Sequence, residues 1–141
     1  MAALSADRKI NTRGIRRTFV GDVAASTNIY AGAIVCKNAS GYIVPASDTA
    51  AIKCVGVALE QVLNSGAAGA KTVTIGVGVF EVVNASGAIV QAGKHALCYA
   101  ADDQSVSTSA AMTNDVIVGC VDAFTTTTVW VDIDPAYGQL G

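Results

Sequence analysis

Side chains capable of covalent or acid–base chemistry are few in this chain, and none stands in a catalytic spacing. His95 is the only histidine; it follows Gly93 and sits beside Lys94. No Ser-His-Asp arrangement assembles around it and no Gly-x-Ser-x-Gly elbow is present, so it reads as decoration at the start of a strand. Gly76-Val-Gly-Val-Phe-Glu81 has the look of a dinucleotide loop. It lacks the third glycine and continues as strand where a helix should open, which excludes that function. Two carboxylate pairs, Asp102-Asp103 and Asp132/Asp134, are of a type that binds cations. The first reads as a hairpin tip, the second as the solvent face of the last strand, alternating with Val131 and Ile133. Asn38-Ala-Ser40 and Asn84-Ala-Ser86 match the glycosylation sequon but read as turns. Cys36, Cys54, Cys98 and Cys120 lie far apart, without a Cys-x-x-Cys pair or a histidine at ligand spacing. Each is in or beside an apolar run, so buried free thiols are expected, with no metal and no cofactor.

Charge supplies the candidate site. Arg8, Lys9, Arg13, Arg16 and Arg17 are five of the nine basic residues, and only Asp7 opposes them within residues 1–19. That segment is about +4, while the remainder, four Lys against ten acids, is about −6. Its apolar residues Leu4, Ile10, Ile15 and Phe19 fit neither the helix nor the strand period, and Gly14 interrupts any helix. Residues 1–19 are therefore expected to form an extended basic arm that finds its structure on a partner, and 20–141 a separate β domain. A nucleic-acid arm is the rival reading. Against it stand the acidic body, the sequence pI of about 5.1 and the lack of aromatic residues interleaved with the arginines.

The elements that must carry these groups are strands. From Val73 to Val79 an apolar residue stands at every second position, with Thr74, Gly76 and Gly78 between. That is a strand with one buried face, and the two glycines leave room on the other for a second backbone, a subunit or a bend. Further strands are expected at Ile29–Cys36, Tyr42–Val44, Ile52–Leu59, Ala88–Val90, His95–Tyr99, Val106–Thr108, Val116–Val121 and Thr127–Ile133. The fold class is all-β: a small β-barrel or β-sandwich of about eight to ten short strands. Asn38-Ala-Ser-Gly-Tyr-Ile-Val44 recurs as Asn84-Ala-Ser-Gly-Ala-Ile-Val90, which reads as one hairpin chemistry used in two similar halves.

A chain of 141 residues with 52% hydrophobic and only 14% charged residues falls well below the roughly 25% charge of an average domain. Such a surface is expected to be covered in an oligomer or assembly. No apolar run is long enough for a transmembrane helix, and the start Met1-Ala-Ala-Leu has no apolar signal core. Synthesis in a cytoplasm is therefore expected.

Val55-Gly-Val-Ala-Leu-Glu60, Lys71-Thr-Val-Thr-Ile75 with Gly78-Val-Phe-Glu-Val82, Ala88-Ile-Val-Gln-Ala-Gly93, Val118-Gly-Cys-Val-Asp122 and Thr128-Val-Trp-Val-Asp132 follow one another in the chain. This order resembles the small cement or decoration proteins of tailed-bacteriophage capsids, over roughly residues 28–134. Cys120 and Val121 depart from the pattern, and the basic arm lies outside it. The resemblance implies a β-barrel-like homotrimer on the outer surface of the virion head, at threefold or quasi-threefold positions. Its partner would be the major capsid protein, with no catalysis and no nucleic-acid or membrane partner. The five basic arm residues are then the expected capsid contacts. The alternative is a receptor- or glycan-binding β module of a virion fibre, against which Trp130, the only Trp, counts because it lies inside the apolar pattern of the last strand.

Overall fold

The computed structural model describes residues 2–140; Met1 and Gly141, the outer ends of the expected arm and body, lie outside the described residues. In chain order the strands are β1 (Thr12–Asp22), β2 (Thr27–Ile29), β3 (Ile34–Lys37), β4 (Ile43–Pro45), β5 (Lys53–Ala58) and β6 (Val62–Asn64). They continue as β7 (Thr72–Asn84), β8 (Leu97–Ala100), β9 (Ser105–Ser107), β10 (Ile117–Phe124) and β11 (Thr128–Ile133), and a single helical turn, α1 (Pro135–Gly138), follows. The fold is nearly all-β, with a closed five-stranded barrel and additional strands.

The long strand β7 belongs to two rings at once. Its C-terminal half pairs with β11 on one edge and, in parallel, with β9 on the other. The path β7–β11–β10–β8–β9 thereby returns to β7 and closes the barrel. The N-terminal half pairs with β1 on one edge and β5 on the other, and the sheet runs on through β3 to β4. There it curls back, because Val23, just past β1, bridges Ile43 of β4.

Side chains alternate along a strand, so β7 feeds two cores from opposite faces. Phe80 and Val82 lie in a first core with Val118, Val129, Val131 and Ile133. Val73 and Ile75 lie in a second core with Val23, Val35 and Val55. The expected face of Val73, Ile75 and Val77 is buried, but from Val79 onward the buried set moves to the other face. The small residues fit this crossing. A side chain at Gly78 would run into the backbone of Gly14 in β1, so the expected close backbone approach is made by the chain itself. Strands β3 and β5 also serve both cores, Cys36 and Cys54 facing the first and Val35 and Val55 the second. Val35 pairs with Gly56 and Cys36 with Cys54, which leaves Val55 as the extra residue of a bulge.

Two expected strands differ. Ile29–Cys36 is the end of β2 and the start of β3, separated by a turn at Gly32, whose φ is 87°. Only glycine adopts that conformation readily, and a side chain there would also strike the Arg8 carbonyl. Residues 88–90 are not a strand: the buried Asn84 amide holds them as a loop. Its Oδ1 accepts from Ile89 N at 2.9 Å, and its Nδ2 donates to Ile89 O at 2.9 Å and Thr125 O at 3.0 Å. The matching Asn38 Oδ1 accepts from Ser40 N and Tyr42 N, each at 3.0 Å, and makes the β3–β4 hairpin. The same four residues thus build a hairpin once and a loop tied down by a buried Asn once.

The structure also corrects the free-standing arm. β1 runs across the expected boundary between 19 and 20 and pairs with β7 from Thr12 to Asp22. Ahead of it, Arg8 N donates to Ala31 O at 2.8 Å, Asp7 Oδ1 accepts from Ala31 N at 3.0 Å, and Leu4 N donates to Asp103 Oδ1 at 2.8 Å. Leu4 and Ile10 pack on the second and first core respectively.

Candidate functional site: the basic strand β1

Strand β1 is an 11-residue strand exposed over most of its length. Exposed apolar side chains mark it, Ile15 at 42% and Val20 at 63% of their full surface, and the register shift between them puts both on one face. Among the described residues its only strand partner is β7, so one edge carries free backbone donors and acceptors. Register shifts between Thr12 and Gly14 and between Ile15 and Arg17 bend it.

Of the five predicted site residues, β1 brings three together. Arg13 Nη1 donates to Asp122 Oδ2 at 3.0 Å, and its guanidinium lies over the Trp130 ring at 4.3 Å from the centroid. Arg16 is gripped twice, Nη1 by Asp132 Oδ1 at 2.7 Å and Nη2 by Asp134 Oδ2 at 3.0 Å. Arg17 lies over the Phe19 ring at 5.4 Å and is in no described ion pair. Lys9 is exposed just before the strand, while Arg8 is half-buried and its Nη1 is enclosed without a hydrogen-bond partner among the described residues.

The acids that receive the arginines belong to the chain's own body. Hydrogen bonds to Asp132 and Asp134 push the Arg16 guanidinium further up from its ordinary value. The Asp134 carboxyl is held low, first by the Ala136 amide that it caps at the start of α1 and then by Arg16. Tyr137 on that turn donates to Asp132 Oδ2 at 3.4 Å. Exposed pairs of this kind contribute roughly 0.2–1 kcal/mol each, so they set the register of β1 more than they hold it. The backbone ladder to β7 holds it.

Composition pointed to the basic residues but missed their partners. Asp132 and Asp134 were legible as the outer face of the last strand. Trp130 shares that face: Val129, Val131 and Ile133 point inward, and Trp130 and Asp132 are the half-buried residues between them. Its expected place inside the apolar pattern is therefore corrected, since strand alternation puts it outside.

The remaining candidates resolve as follows. Asp102 and Asp103 are buried, at 7% and 2% exposure, not at a solvent-facing tip. Asp102 Oδ1 accepts from Ser105 Oγ at 2.7 Å and Gln104 N at 2.9 Å. Burial raises the Asp103 carboxyl above its ordinary value. His95 is an exposed turn residue with φ 62°, and no described hydrogen bond joins its ring to a hydroxyl or carboxylate. Among the described residues no group of three or more His, Cys, Asp or Glu is placed to hold a metal ion. Among the described residues no helix is long and apolar enough to cross a membrane. An open groove of about 390 Å³ lined by Val44, Pro45, Ala46 and Ile52 carries no titratable side chain. What β1 presents is exposed backbone, exposed apolar side chains and positive charge. No protein-family model matches the chain, and no curated protein is similar to it in sequence.

Proposed function

We propose that this chain is a structural virion protein that binds the outer surface of a tailed-phage capsid, through the major capsid protein, and stabilises the mature head. The observation that carries the reading is β1, a long strand exposed over most of its length, one edge of which has no strand partner among the described residues. An open edge is a template for another strand, and a capsid segment laid along it gains main-chain hydrogen bonds at once. Arg17 and Lys9 remain for that segment's carboxylates, because the body's aspartates engage Arg13 and Arg16. The order of strand motifs, which resembles the decoration proteins, supports the same reading and adds a homotrimer at threefold or quasi-threefold positions. Each subunit would touch more than one capsid subunit, and linked contacts of this kind raise effective affinity by roughly 10²–10⁴.

The deciding experiment is co-sedimentation with expanded phage heads at low and moderate salt. The intact protein should sediment with heads, and Lys9→Ala/Arg17→Ala should bind about 3- to 30-fold more weakly with a shallower salt dependence. Absence of the intact protein from the head pellet would refute the proposal. The outward position of Trp130 favours a second reading, a glycan-binding module of a virion fibre, since an exposed ring can stack on a sugar. Arg13 already lies over that ring. Glycan binding that Trp130→Ala abolishes, without head binding, would select this alternative.

A further inference from the structure

Cys36 and Cys54 are not scattered thiols in the folded chain. They stand directly opposite each other in the antiparallel pair of β3 and β5, beside the bulge at Val55. Both are fully buried in the first core. Opposed residues of antiparallel strands have Cα atoms about 4.5–5.5 Å apart, within the roughly 4.4–6.8 Å that a disulfide spans. Directly paired residues share a face of the sheet, and both side chains lie in that one core, close enough for Cys54 to raise the Cys36 thiol. Neither other cysteine is so placed: Cys98 lies across from Gly119, and Cys120 across from Leu97 and Asp132.

We propose that Cys36 and Cys54 are a latent cross-strand disulfide, reduced in the chain as folded and closed by a small-molecule disulfide without rearrangement of the sheet. The reaction is two exchanges. One thiolate attacks the reagent, forming a mixed disulfide and releasing one reagent thiol. The second cysteine then displaces the other reagent thiol and forms the Cys36–Cys54 bond. The protein loses two hydrogens and two electrons, and one reagent disulfide becomes two thiols. Burial sets the rate. Both sulfurs lie inside the core, and the Cys36 thiol is pushed well above its ordinary value by Cys54 and by burial, so attack waits for a transient opening of β3 from β5. Once formed, the bond ties together two strands that serve both cores.

The test incubates the folded protein with hydroxyethyl disulfide for hours to days, with and without mild denaturant. Acid quench, alkylation, intact mass and peptide mapping follow. The expected product is about 2 Da lighter, carries two alkylatable thiols where the starting protein has four, and yields a Cys36–Cys54 cross-linked peptide. Its unfolding midpoint should rise by about 10 °C, reversed by reductant. Cys54→Ala should form no intramolecular bond under the same treatment. A cross-link through Cys98 or Cys120, four thiols surviving in mild denaturant, or a lower midpoint in the oxidised protein would each overturn the proposal.

Discussion

Single side chains in this protein act differently according to what surrounds them, and the two Asn-Ala-Ser-Gly sites show it most directly. Asn84 satisfies three backbone groups, two buried ones of Ile89 and a partly buried one of Thr125. Removing it strands all three, so Asn84→Ala should cost about 2–4 kcal/mol in urea unfolding. Asn38 bonds two amides of an open hairpin. Water replaces it there, and Asn38→Ala should cost about 0.5–1 kcal/mol. Two carboxylates have opposite pH signatures. The amides of Thr113 and Asn114 hold Asp48 below its ordinary value. Its contribution is present above the unfolded carboxylate range and lost as pH falls through its lower folded value. Asp103 is raised, chiefly by burial, so its ionisation opposes folding as pH rises from the unfolded value through the folded one. Thermal midpoints from pH 2 to 7 should show a flatter acid limb for Asp48→Asn. Asp103→Asn, which keeps an acceptor for Leu4 N, should hold or raise stability at pH 7.

At the scale of elements, β1 is both part of the fold and the surface proposed for the partner. Deleting residues 2–18 removes most of its ladder to β7, the two arginine clamps and the apolar contacts of Leu4 and Ile10. The loss should be about 2–5 kcal/mol, net of the chain entropy no longer spent on ordering the segment. Denaturant midpoints of full-length and truncated protein measure it, and equal midpoints would mean that β1 detaches freely. Arg13→Ala with Arg16→Ala should cost less, about 0.5–2 kcal/mol, because these pairs are half in solvent. A bulky residue at Gly78 meets the β1 backbone, so Gly78→Val should loosen β1 from β7 while leaving β11 in place. Amide exchange resolved by segment distinguishes those two edges.

For the whole molecule, two cores share one long strand, and opening either disturbs the other through β7, β3 and β5. Unfolding should therefore be a single transition, with calorimetric and van't Hoff enthalpies in agreement. The low charge of the chain and the exposed strand support the proposed role in assembly. Light scattering of the free protein, together with a map of decorated heads, should find trimers on the shell. Monomers in both settings would contradict that part of the proposal.

The sequence alone was enough for the fold class and for the strand at 72–84, because period-two alternation of β-branched residues is a local property that burial enforces. It also picked out the basic cluster, since charge is countable without coordinates. It could not reveal that β7 turns one face to each of two cores, because alternation is identical whichever face is buried. Nor could it show that the arginines meet the chain's own aspartates. Arg13 and Asp122, or Arg16 and Asp134, are more than a hundred residues apart in sequence and adjacent only because β1 and β11 flank β7 on opposite edges, with β10 beside β11. The same limit hid Cys36 opposite Cys54, a pairing created by strand register and bulge. Local pattern decided which segments are strands; only the closing of the sheet decided which residues meet.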